Sequence, residues 1–151
     1  MRYSIFSLLA VAFAACSPDS SSSAVASPPA DLLARNTVVA SYEKMVDIPC
    51  RFMTADCPDR CDHATRVAVF RVIKNEDYAK LGEYGDDKMM EGGAVTVDML
   101  KDEPGQAPAV RELISSLKQG DKVRMTVHHN YVKDETANYP ARPVVSIEAV
   151  K

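Results

Sequence analysis

The chain of 151 residues carries 18 Lys and Arg against 21 Asp and Glu, a formal net charge of −3, with no basic run of five or more. That balance excludes the electrostatic footprint of a nucleic-acid binder, so nucleic acid is not an expected partner. Four cysteines and nine prolines, against a moderate apolar content, point to one small domain with an appended low-complexity segment rather than to several cores.

The chain opens with Arg2 as a positive n-region, then a short apolar core from Ile5 to Ala12. That core is too brief to span a bilayer and reads as an export signal over 1–15. It ends in Phe13-Ala14-Ala15-Cys16, small residues leading into a cysteine. This resembles the lipobox of bacterial lipoproteins, although Phe13 stands where leucine is usual. The resemblance implies that Cys16 is acylated and becomes the new N-terminus, anchoring the protein to the membrane through several acyl chains. Ser17 follows the anchor, and the absence of aspartate there implies sorting to the outer membrane, with the domain facing the periplasm or the cell surface. The alternative is an ordinary signal peptide cut after Ala14 or Ala15. Ser17 to Pro29 is rich in Ser, Ala and Pro and cannot bury a core, so 16–35 reads as a lipidated cysteine and tether.

Asp31 to Arg35 suggests a short helical turn, and Asn36 to Ile48, β-branched and partly alternating, reads as a long first strand. The chemistry then concentrates. Cys50, Cys57, Cys61 and His63 fall within fourteen residues. Asp56-Cys57-Pro58 has the grammar of a helix start, and in a helical turn Cys57 and Cys61 share one face. Three thiolates and an imidazole suit a tetrahedral Zn²⁺ site, or Cu(I) with fewer of them; Met53 is a possible thioether ligand. The spacing Cys-x6-Cys-x3-Cys-x-His matches no standard zinc finger. The competing reading is a Cys57–Cys61 disulfide with Cys50 as a spare thiol and His63 as a polar loop residue. Export to an oxidising compartment favours the disulfide, whereas the imidazole two residues after Cys61 favours the metal or a redox role.

Arg66 to Asn75 is a second strand, with Ala68, Phe70 and Val72 on one face. Asp77 to Leu81 reads as a helical turn stopped by Gly82. The following loop presents Tyr84, Asp86 and Asp87, either as a solvated connection or as a binding loop; two carboxylates are too few for a calcium site. Ala94 to Leu100 is a third strand. Val110, Leu113, Ile114 and Leu117 then give the stripe of an amphipathic helix, with Pro108 near its start and Gly120 at its end. Asp121 to Lys133 is a fourth strand, its apolar face carrying Val123, Met125, Val127, His129 and Tyr131. Val144 to Val150 is a fifth, with Val145, Ile147 and Ala149 inward. His129 is read either as a satisfied core residue or as a further ligand for the cysteine cluster. Met45, Met99 and Met125 fit strand faces and read as core.

The element order, and Gly120-Asp121-Lys122-Val123 opening the fourth strand, resemble the OB-fold over 36–151. The resemblance implies a mainly β protein: a five-stranded Greek-key barrel with one helix between strands three and four. A small α+β sandwich is the competitor. The chain holds no nucleophile elbow, HExxH, phosphate-binding glycine loop or thioredoxin-type CxxC, so an enzyme is not expected. The expectation is a lipid-anchored envelope module that binds or senses a soft metal or thiol redox state through Cys50, Cys57, Cys61 and His63. The alternative is a module for an envelope protein, a glycan or a small molecule in which the cysteines form only a structural disulfide.

Overall fold

In the computed structural model, which describes residues 30–49, 64–84, 87–101, 103–135 and 137–150, the β-branched runs become long strands. The order is β1 (Ala30–Ile48), β2 (Thr65–Lys80), β3 (Ala94–Asp98), α1 (Ala109–Ser116), β4 (Lys122–Lys133), β5 (Asn138–Ala141) and β6 (Val144–Val150). Antiparallel ladders join β3 to β2, β2 to β1 and β1 to β4, and both β5 and β6 pair with β4. Among the described residues the protein is mainly β with one helix, and its sheet is a curled antiparallel half-barrel. Among the described residues β3 does not pair with β6, so the sheet stays open between them. No helix among these residues is long and apolar enough to cross a membrane.

Curling follows from local irregularities in β1. Its register against β2 shifts between Thr37 and Val38, between Val39 and Ala40, and between Tyr42 and Lys44. Each such bulge adds twist and bends the strand, so one long strand can wrap a core. The inner face carries Val38, Ala40 and Tyr42 from β1, Ala68, Phe70 and Val72 from β2, Val95 and Val97 from β3, and Val123, Met125 and Val127 from β4. Fully burying a side chain of the Val or Phe type contributes about 1.5–3 kcal/mol. Tyr42 and Phe70 meet with ring centroids 5.4 Å apart and planes tilted by 54°, an edge-biased contact that aromatic quadrupoles favour. Met125 is fully buried, while Met45 and Met99 pack against the core from its margin.

Helix α1 closes one flank of this core by burying Val110 and Ile114. Its exit is pinned to β1: the Gly120 amide donates to the Tyr42 carbonyl and the Tyr42 amide to the Asp121 carbonyl, both at 2.8 Å. Gly120 makes that turn at φ +90, where a side chain would be strained.

Several sequence expectations are corrected. Asp31–Arg35 is strand, not a helical turn, because Ala34 and Arg35 pair with Lys80 and Ala79 while Asp31 and Leu32 pair with Tyr131 and Asn130. The same ladder converts Asp77–Lys80 from an expected helical turn into the end of β2. The helix-forming residues Leu32, Leu33 and Ala34 yield to a partner on each side, a tertiary override of local propensity. The expected fifth strand over Val144–Val150 is β6, and the strand not expected is the short β5 before it; Pro143, with no amide to donate, separates the two, and its carbonyl accepts the His128 amide. A register shift between Thr126 and Val127 turns Val144 inward rather than Val145. Tyr131, expected on the apolar face, is 38% exposed, and Val132 is the buried residue at this end of β4.

Candidate functional site

The alternation of β1 places one polar side chain in its buried row: Asn36, between Ala34 and Val38, is 1% exposed. A buried amide must be satisfied, and this one is. Its Nδ2 donates to the Asp87 carbonyl at 3.0 Å, and its Oδ1 accepts from Asn75 Nδ2 at 2.9 Å and from the Met89 amide at 3.0 Å. Asn75 Nδ2 also reaches the Met89 carbonyl at 3.0 Å. Two asparagines on adjacent strands thereby hold Asp87 and Met89 against the inner side of the sheet. Their alternative would be unpaired buried polar groups, costing about 1–3 kcal/mol each.

This attachment aims the Asp87 carboxylate. Its Oδ2 accepts from Arg142 Nη2 at 2.6 Å and from Arg142 Nε at 3.2 Å. His129 Nδ1 lies 2.8 Å from the same oxygen, but off the line of a ring N–H, so the imidazole has charge proximity there without a directional hydrogen bond. His129 is 8% exposed, and it pairs as an ion only when protonated. The Arg142 backbone amide in turn donates to Glu103 Oε2 at 3.1 Å. Beside this cluster lies a cleft of about 270 Å³, bounded by Met89, Val95, Thr96, Glu103, Pro140 and Arg142. It lies between β3 and the β5–β6 corner, on the side where the half-barrel is open. Its walls combine apolar surface, a strand edge and two charged side chains, the mixture a small pocket uses to orient a ligand.

Asp98 fixes the far end of β3. Burial alone would raise its pKa, but the Thr65 hydroxyl and the Lys101 and Leu100 amides outweigh that and hold the carboxyl below its ordinary range. The outer face of the sheet carries exposed ion pairs, Arg124 with Glu76 and Glu148 and Arg71 with Glu43. Exposed pairs of this kind are worth about 0–1 kcal/mol each and describe a solvated face.

Of the residues singled out from the sequence, Cys16, Cys50, Met53, Cys57, Cys61, His63 and Asp86 lie outside the described residues. Ile48 and Thr65, which flank the cysteine-bearing segment, are directly paired, so that segment leaves and rejoins the sheet at adjacent positions. Tyr84 is 74% exposed, whereas Asp87 turns in toward Arg142 and His129. His129 sits across from Ala34, near the opposite end of β1 from Ile48. Among the described residues no three His, Cys, Asp or Glu gather to hold a metal ion.

Sequence reasoning passed over Asn36, Asn75, Glu103 and Arg142. Asn36 was legible in principle, as the one amide in phase with Val38, Ala40 and Tyr42. Arg142 and Glu103 carry no comparable signal, because only the fold brings them to Asp87. Compared with known proteins, the chain matches no protein-family model, no curated protein and no solved structure.

Proposed function

We propose that this protein is a lipid-anchored, non-enzymatic binding or sensing module of the bacterial outer membrane, held by Cys16 and facing the periplasm or the cell surface. Its domain is an open relative of the OB-fold. Support for that fold comes from the ladder order β3-β2-β1-β4-β6 and from the helix between β3 and β4. In the leading reading, Cys50, Cys57, Cys61 and His63 take up zinc or copper(I), or respond to thiol redox state. The supporting observation is the direct pairing of Ile48 with Thr65. In the sequence Cys50 lies two residues beyond one partner and His63 two residues before the other, so the segment that carries the donors begins and ends at paired positions of the sheet. Such closure lowers the entropy cost of gathering ligands from a long segment.

A second reading is favoured by the cleft beside Asp87. Here the cysteines are a disulfide staple and the open side of the half-barrel receives a ligand. One experiment separates the two. Protein purified from the envelope is assayed for metal and alkylated without reductant before intact-mass measurement. The metal reading expects near-stoichiometric zinc or copper, loosened about tenfold or more by His63→Ala. Two protected thiols, one labelled thiol and no metal would overturn it in favour of the disulfide.

A further inference from the structure

The edge of β3 that faces away from β2 has a backbone pattern set by its two ends. The Val72 amide donates to the Gly93 carbonyl at 2.9 Å, and the Met99 amide donates to the Arg66 carbonyl at 2.7 Å. Hydrogen-bonded pairs in an antiparallel ladder recur every second residue. Gly93, Val95, Val97 and Met99 therefore direct their backbone groups to β2, and Ala94, Thr96 and Asp98 direct theirs outward. Arg111 Nε approaches the Asp98 carbonyl at 3.5 Å. Among the described residues no hydrogen bond reaches the outward N–H or C=O groups of Ala94 and Thr96. Both residues are exposed, and both line the cleft between this edge and the β5–β6 corner.

A free edge bounded by a cleft is a template for another strand, because its donors and acceptors repeat at the spacing of extended backbone. Proteins commonly blunt such edges with lysine, proline or a bulge, and Ala94-Val95-Thr96-Val97 has none of these. The charge pattern adds an orientation. Asp87 is matched by Arg142, whereas among the described residues the Glu103 carboxylate accepts the Arg142 backbone amide and forms no ion pair. Glu103 also lines a second hollow at the C-terminal end of the same edge, where two carboxylates, Asp98 and Glu103, stand with one cation, Lys101.

We propose that the outer edge of β3 receives an extended peptide from a partner protein as an added strand, with a basic side chain of that peptide meeting Glu103. The proposal rests on the second reading above, that the open side of the half-barrel is a ligand site, and is independent of the state of the cysteines. Backbone pairing with Ala94 and Thr96 supplies affinity, and alternate side chains entering the cleft between Met89 and Pro140 supply selectivity.

The test uses the mature full chain in detergent micelles and a library of linear peptides bearing one fixed lysine. Selected peptides are resynthesised with single N-methyl groups. Methylation should weaken binding about tenfold at every second position and little at the others, since only alternate amides face the edge. Binding should protect the Ala94 and Thr96 amides from hydrogen exchange. Thr96→Pro, which removes an outward amide and leaves the β2 ladder intact, should weaken binding by about the same factor. Glu103→Gln keeps an acceptor for Arg142 and should weaken binding several-fold while flattening its salt dependence.

Peptides that bind without the alternating pattern and ignore Thr96→Pro overturn strand addition but leave the ligand site standing. Enrichment of no peptide overturns both. A concentration-dependent dimer of the protein alone, abolished by Thr96→Pro, assigns the edge to a second copy and also overturns the proposal. If Thr96→Pro fails to fold, the N-methyl scan on the unsubstituted protein decides.

Discussion

Replacing Asn36 with alanine tests whether the buried amides hold the site together. The substitution removes three hydrogen bonds at once, to the Asp87 carbonyl, the Asn75 amide and the Met89 amide. Each is worth about 0.5–1.5 kcal/mol net, and a partner left buried and unpaired costs about 1–3 kcal/mol. Asn75 keeps its bond to the Met89 carbonyl, which limits the loss, and Asp87 and Met89 can relax toward water. Asn36 itself is 1% exposed, so its own site does not fill with solvent readily. The expected destabilisation is therefore about 2–4 kcal/mol, or roughly 10 °C in Tm for a domain of this size. Urea unfolding should show a lower midpoint with an unchanged slope, because the surface exposed on unfolding hardly changes. Hydrogen exchange at the Met89 amide should accelerate in parallel. A loss below about 0.5 kcal/mol, with Met89 still protected, would refute the idea that this network fixes Asp87.

Two further outcomes are expected. Burial, with the Arg35 charge added, holds the His128 pKa below its ordinary 6.5. The folded state thus disfavours the protonated imidazole. The stability His128 contributes is complete above that value and is lost as the pH falls below it, through the depressed folded pKa. His128→Gln should flatten this part of a stability-against-pH curve, and an unchanged curve would refute the assignment. For the anchor, Cys16→Ala should move the protein from the membrane to the soluble fraction, and a mutant that matured normally and stayed membrane-bound would end the lipoprotein reading.

Period-two alternation within Arg66–Asn75 and Asp121–Lys133 was sufficient to group Ala68-Phe70-Val72 on one face and to mark Val123-Met125-Val127 as the apolar row, but only the fold shows that the first group faces the core. The helix was equally legible, since Val110 and Ile114 repeat at helical spacing between Pro108 and Gly120. Elements that depend on a distant partner were not. Leu32, Leu33 and Ala34 prefer helix in isolation, and only the facing backbones of Lys80 and Asn130 make them strand. The inversion of Val144 for Val145 at the β6 bulge follows from register, which short-range pattern does not encode. The site divides in the same way. A cluster of three thiols and an imidazole is visible because its members are neighbours in the chain. Asp87, His129 and Arg142 meet only because β1, curled by its bulges, brings β4, the β5–β6 corner and the segment after β2 to one place. Their chemistry is a product of curvature, and curvature arises from long-range pairing rather than from local sequence.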